Sequence, residues 1–307
     1  CLTPDDMDAS SKAALTNTGQ RFFDMVAKGD SAALRQNAIP SLAGDFSAIE
    51  TSIKDNQANF AGARATPRPP LLLKAEGTAP LARAEFLCGV FGPNGQTATS
   101  SEFVIPNLPP GNYGIVIVDI SSSKGAYTVS FVLQQSGTDW KLGGFYAKST
   151  QISGHDGNWF ADRARQFKAK GQLHNAWFYF AEARELLVPV PFMYTQKTDR
   201  LYDELQAAKP PDLPADGSTT DLVVAPKTYK LTALFPLPVG DELDVVVKYQ
   251  AADVSNTTQT FAENMTVIKA LLVKYPELRD AFAGVVARAV EPSGKDYGSL
   301  LPMKDIK

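Results

Sequence analysis

Residues 159–187, WFADRARQFKAKGQLHNAWFYFAEARELL, read as two helices joined at Lys170-Gly171-Gln172. In the second, Trp177, Phe178, Tyr179 and Phe180 are consecutive. At about 100° per residue they point in nearly every direction, so this helix cannot have a single buried face. A helix apolar all round is packed on two sides. Trp177 and Phe180 are therefore expected to be almost fully buried, facing different domains. The flanking segments are β-rich by pattern, so the hairpin is expected to join two domains.

The chain has 307 residues, room for two or three domains. Hydrophobic content of 44% and charged content of 21% are those of an ordinary globular protein. A formal charge of -3 without a basic tract argues against a nucleic-acid partner. No apolar run approaches the roughly 18 residues of a membrane helix.

Only two cysteines occur. The sequence opens on Cys1, followed by polar Thr3-Pro4-Asp5-Asp6 and Asp8-Ala9-Ser10-Ser11. This start resembles a bacterial lipoprotein after removal of its signal peptide. The resemblance implies a lipid on Cys1, a flexible polar tether over 1–11, and residence on the periplasmic face of a membrane through that lipid, or secretion. Cys88 lies in the apolar run 84–91 and reads as a small buried hydrophobe. A Cys1–Cys88 disulfide is the alternative, disfavoured because one partner sits on a loose end.

Residues 12–60 read as three helices. Leu15, Phe22, Phe23 and Val26 form a stripe that stops at Gly29, and Asp30 can cap the next helix. Ser31 to Ala38 is a short helix cut by Pro40, and Phe46, Ile49 and Ile53 mark a third. Residues 61–70, with prolines at 67, 69 and 70, read as an extended linker. Strand patterns follow at 71–73, 85–91 and 102–105, and stronger ones at 113–120, 126–134 and 140–147. Turns are expected at Pro93-Asn94-Gly95, Pro109-Pro110-Gly111-Asn112, Ser123-Lys124-Gly125 and Ser136-Gly137-Thr138.

Helices first, then a meander ending in VSFVLQQSGTDWKLGGFYAKS (129–149), resembles the cone-shaped α+β fold of the nuclear transport factor 2-like superfamily. The resemblance covers 12–150. FVIPNLPPGNYGIVIV (103–118) is similar to the end of carboxypeptidase-regulatory-like β-sandwiches, but too few strands precede it and it leaves the helices unexplained. Residues 151–210 hold the helical hairpin and a third helix. The spacing of Phe160, Ala164, Phe167, Gly171, Ala176, Phe180, Ala183 and Pro189 resembles a single tetratricopeptide repeat. Such repeats need about three copies to bury a continuous core, and no second copy is visible. Residues 212–220 read as a linker, and 211–307 as a small domain of order β-β-α-β-β. The fold class is therefore α+β.

Candidate chemistry is sparse. There are two histidines, no CxxC, no GxSxG and no GxxxxGK[ST], so neither a metal nor a nucleotide cofactor is expected. Asn264, within a glycosylation-like triplet, falls on a helix. His174 is expected to be exposed at the hairpin turn. His155-Asp156 is the most enzyme-like dipeptide, but Asp156 before a helix reads as a cap and His155 as an exposed loop residue. The cone resemblance implies a pocket between helices and sheet, where enzymes such as the ketosteroid isomerases use a carboxylate base and a tyrosine or acid donor. Asp24, Asp45, Asp119, Tyr113 and Tyr127 are the residue types it would need. The expected function is a non-catalytic, lipid-anchored cell-envelope protein that binds or scaffolds a protein or small molecule. An isomerase- or hydratase-like enzyme in the cone is the alternative.

Overall fold

The computed structural model describes residues 1–93, 95–214 and 217–307. Asn94, in the turn expected at 93–95, and Ala215 and Asp216, in the linker expected at 212–220, lie outside the described residues. The chain is mixed α+β, with eight α-helices among the described residues and open, mainly antiparallel sheets. It divides into two compact units, Cys1–Gln151 with Leu186–Arg200, and Ile152–Glu185 with Leu201–Lys307. The helical hairpin thus groups with the C-terminal sheet.

The first unit begins with α1 (Ala9–Lys28), α2 (Ser31–Gln36), α3 (Pro40–Gly44) and α4 (Ser47–Phe60). Gly29, at φ 72°, ends α1: its N–H donates to Val26 and that of Asp30 to the Met25 carbonyl. That pattern satisfies the last carbonyls of the helix, and glycine enters this left-handed conformation without a Cβ clash. The Asp30 carboxylate then accepts from Ala33 N–H and caps α2, as the sequence predicts. Pro40 starts α3 rather than merely ending α2, since its missing N–H costs nothing at a first helical position.

The strands follow as β1 (Arg64–Pro67), β2 (Leu71–Ala75), β3 (Leu81–Cys88), β4 (Ser101–Leu108), β5 (Gly111–Ser122), β6 (Gly125–Ser136) and β7 (Asp139–Ser149). Part of the expected linker 61–70 is therefore strand. β1 and β2 lie one after the other along the same side of β5, and β6 and β7 continue the five-stranded sheet on its other side. Short β8 (Gln151–Ile152) and β9 (His155–Asp156) pair with each other, and β10 (Met193–Thr195) returns to β4, giving a three-stranded sheet β10-β4-β3.

Both faces of β5 are covered. Val116, Val118 and Ile120 face the helices with Phe22, Phe131 and Leu133; Tyr113, Ile115 and Ile117 face the smaller sheet with Phe86, Phe103 and Val190. This is why GIVIVDI (114–120) is a continuous apolar run and not an alternating one. α1 approaches the large sheet closely: a Cβ on Gly19 would lie 2.4 Å from Val116, and one on Gly114 would lie 2.2 Å from Leu15. The second sheet on the far face was not anticipated from the sequence.

The N-terminal segment corrects two expectations. Residues 1–11 are not a loose tether. Leu2 and Leu72 exchange backbone hydrogen bonds of 2.8 and 3.0 Å, Met7 is buried, and Asp8 caps α1 by accepting from Ser11 N–H. Cys1 is held beside the end of β3 and is bonded to Cys88, with their Cα atoms 5.2 Å apart. Once Leu2 is pinned to β2, the first residue is no longer a floating partner, and the argument against pairing fails.

α5 (Gly157–Ala169) and α6 (Leu173–Leu187) form the hairpin, almost all of it in the second unit, and α7 (Gln196–Gln206) begins in the first unit and ends in the second. Gly171, at φ 76°, turns it: Gly171 N–H reaches the Lys168 carbonyl and Gln172 N–H the Phe167 carbonyl. α6 is covered on nearly every side, and Phe180 is fully buried. Trp177 is only half-buried, which corrects its expected burial. It shares with Ala181 and Arg184 the one more open stripe, at i, i+4 and i+7.

The C-terminal sheet has strand order β11 (Thr220–Val224), β12 (Lys227–Val239), β13 (Glu242–Gln250), β14 (Gly284–Val290), β15 (Asp296–Pro302). β11 extends the expected β-β-α-β-β pattern by one strand at its start. α8 (Thr257–Lys274) crosses from β13 to β14, which pair in parallel; every other pairing in this sheet is antiparallel. Asn264 on α8 is fully buried, accepts from Tyr249 OH at 2.8 Å and donates to Ser299 Oγ at 2.9 Å. It is a structural amide, shut off from any modifying enzyme.

Candidate functional site

Where the enzyme alternative requires a pocket, the first unit is filled. Leu15, Phe22, Val26, Val116, Phe131 and Leu133 occupy the space between α1 and the five-stranded sheet. The candidate acid–base residues do not converge there. Asp24 and Asp45 are exposed. Asp119 forms a paired hydrogen bond with Arg68, both at 2.8 Å. Tyr113 lies in the other core, where its OH donates to the Pro109 carbonyl at 2.8 Å and burial pushes its pKa up. Tyr127 OH donates to the Lys124 carbonyl at 3.3 Å. A polar surface cleft of about 520 Å³ opens where α1 and the end of α2 meet the β6–β7 turn, beside Asn17, Arg21, Asp139 and Lys141, without any of these five residues.

His155 is exposed and stacks on Trp159 at 3.8 Å, while Asp156 accepts from Trp159 N–H at 2.9 Å and caps α5. The dipeptide starts a helix, as its position before 157–169 predicts.

His174 is the histidine with the richer surroundings, and its expected exposure is corrected: its side chain is 12% exposed. Nδ1 lies 2.7 Å from Glu277 Oε1 and Nε2 lies 2.9 Å from Asp212 Oδ1. The ring sits against Tyr275, with centroids 4.3 Å apart. Neighbouring bonds run the same way: Gln172 donates to Asp280 at 2.7 Å and Asn175 to the Glu277 carbonyl. For Asp212, burial acts to raise the pKa, but the hydrogen bond and charge of His174 outweigh it and hold the carboxyl below its ordinary 3.8. Burial, followed by the Asp212 charge, pushes Tyr275 up.

A general base needs one ring nitrogen free for substrate. Here each nitrogen meets a carboxylate, so the imidazole clamps three segments together. His174→Ala removes the ring from between the Glu277 and Asp212 carboxylates and is expected to cost about 1.5–3 kcal/mol. A lowered folded-state pKa means that Asp212 contributes stability above its unfolded value, and that this is lost as pH falls through the folded value. Urea midpoints from about pH 3 to 7 check both parts, because the variant should lose stability at neutral pH and show a flatter acid limb. An unchanged acid limb would mean that His174 does not set the Asp212 carboxyl. The sequence could not have shown this cluster, whose members lie 38 and 103 residues from His174.

A more apolar opening lies along β11 and the C-terminal half of α8. It is a groove of about 670 Å³ lined by Leu222, Val223, Val224, Ala270 and Val273, with Lys269 and Lys274 beside it. Val223 is 69% exposed and Val273 84% exposed. Exposed valines on both walls of one groove mark a binding surface more than isolated surface residues would. Asp221, also on the lining, is paired with Lys230 at 2.7 Å, and Lys274 Nζ donates to the Asp221 carbonyl at 3.0 Å. Lys269 has no ion-pair partner among the described residues. No local signal marks this site, because 212–220 reads as a linker and the run Leu222-Val223-Val224 is too short to show a strand period. No cluster of three or more metal-ligating side chains occurs among the described residues. Compared with protein-family models, curated proteins and solved structures, the chain matches none.

Proposed function

We propose that this chain is a non-catalytic binding or scaffolding protein of the cell envelope or periplasm, working outside the reducing cytosol. The observation that carries the reading is the tight filling between α1 and the middle of the five-stranded sheet, with the candidate carboxylates and tyrosines held apart from one another. The compartment is supported by the Cys1–Cys88 bond, since structural disulfides persist in oxidising surroundings. A nuclear transport factor 2-like origin for the first unit is supported by helices preceding a meander that ends in the strand signature at 129–142. The hairpin spacing supports a tetratricopeptide-like origin for α5 and α6. A lipid on Cys1 would need the same sulfur that Cys88 takes, and the reading proposed here gives that sulfur to Cys88.

Native protein from fractionated cells tests this. The peptides bearing Cys1 and Cys88 are expected to run as one linked species before reduction and as two after it, in the extracytoplasmic fraction. A cytosolic protein with both thiols free would overturn the compartment. A Cys1 peptide carrying acyl chains would replace the disulfide with the lipid anchor.

A further inference from the structure

We propose that the groove between β11 and α8 binds an extended acidic–apolar peptide segment of a partner protein, which adds to the sheet as a strand next to β11. The proposal rests on the binding-protein reading above and supplies its partner class.

β11 is an edge strand: β12 pairs with one side of it, and no strand among the described residues pairs with the other. Which peptide groups face the open side follows from Lys274, whose Nζ reaches the Asp221 carbonyl at 3.0 Å from the α8 side. Peptide direction alternates along an antiparallel strand, so residues two apart present their groups to the same side, and Val223 N–H and C=O point away from β12 with those of Asp221. The lysine holds one acceptor of the open edge, and the Val223 N–H and C=O lie next to it along the same edge.

An added strand would exchange two backbone hydrogen bonds with Val223. It would lay an apolar side chain against Ala270 and Val273 and bring a carboxylate to Lys269. Such strand addition takes affinity from main-chain bonds and specificity from side-chain pockets. Charge selects the sign of the occupant. The cations at this groove are Lys269 and Lys274, and its one acid, Asp221, is already neutralised by Lys230. A basic peptide would meet two like charges, and an acidic one would meet a free ammonium.

The test uses the full chain and a fluorescein-labelled heptapeptide of alternating valine and glutamate, read by fluorescence anisotropy at low salt. A lysine-for-glutamate peptide and a proline-interrupted glutamate peptide serve as comparisons. The glutamate peptide is expected to bind at least about tenfold more tightly than either. Lys269→Glu should weaken it by about tenfold through charge. Val223→Pro should do so by removing an outward N–H, a change that an edge strand accommodates without losing a bond to β12. Melting curves establish that both variants are folded, and Lys269→Glu, an exposed change, carries the test if Val223→Pro is not. Equal binding of all three peptides, or glutamate-peptide binding that neither folded variant weakens, overturns the groove assignment. The latter result would leave the binding-protein reading standing, with its site elsewhere. Sedimentation showing a dimer that Val223→Pro dissociates would give the edge to a second copy of this chain and overturn the proposal as well.

Discussion

Reducing the Cys1–Cys88 bond is expected to lower the stability of the first unit by about 4–5 kcal/mol, the largest effect of any single change considered. The bond closes a loop with a sequence separation of 87, and the entropy withdrawn from an unfolded chain grows with loop length. Cys1→Ser is the cleaner variant, because Cys88 is buried in the second core and Cys88→Ser would add the cost of a buried hydroxyl. Urea midpoints with and without reductant measure the loss. Cys1→Ser should match the reduced protein and become insensitive to reductant. If reductant leaves the wild-type midpoint in place, the bond does not constrain the unfolded chain, and the oxidising-compartment argument loses its support.

That bond also shows where reading the sequence stops. Local signals were legible: the Gly29 stop with its Asp30 cap, the Gly171 turn and the many-sided burial of α6 all follow from side-chain period and backbone permissiveness at neighbouring residues. Long-range pairing was not. The disulfide is illegible because a residue such as Cys1 reads as loose by its neighbours, and nothing local says that Leu2 pairs with Leu72. β10 comprises three residues and exists only because β4 offers an edge, so no period could mark it. β11 was lost in the same way, and the groove with it. The His174 clamp depends on two carboxylates from distant segments, and a histidine at a helical turn has the same local signature whether it is clamped or free.

Phe131→Ala is expected to cost about 3–5 kcal/mol, and it tests the premise that separates binding from catalysis. Phe131 is fully buried on β6, with Phe22 of α1 at 6.0 Å edge-on and Phe145 of β7 at 5.8 Å. Truncation removes the ring's transfer free energy and leaves a void, because the pleated partners Val116 and Phe145 are fixed by their own ladders and cannot close in. Phe261→Ala on α8 is the matched control: the same atoms are deleted from a side chain 49% exposed, and alanine is the better helix former, so the change should stay within about 1 kcal/mol. The comparison holds chemistry constant and varies only packing. Urea denaturation of both variants gives the two losses directly. If Phe131→Ala costs no more than Phe261→Ala, the space between α1 and the sheet is not tightly filled, and an isomerase-like pocket regains its place. If the difference is several kcal/mol, that space is occupied by the protein's own side chains, and a ligand must bind on an outer face, where the groove beside β11 offers an apolar opening.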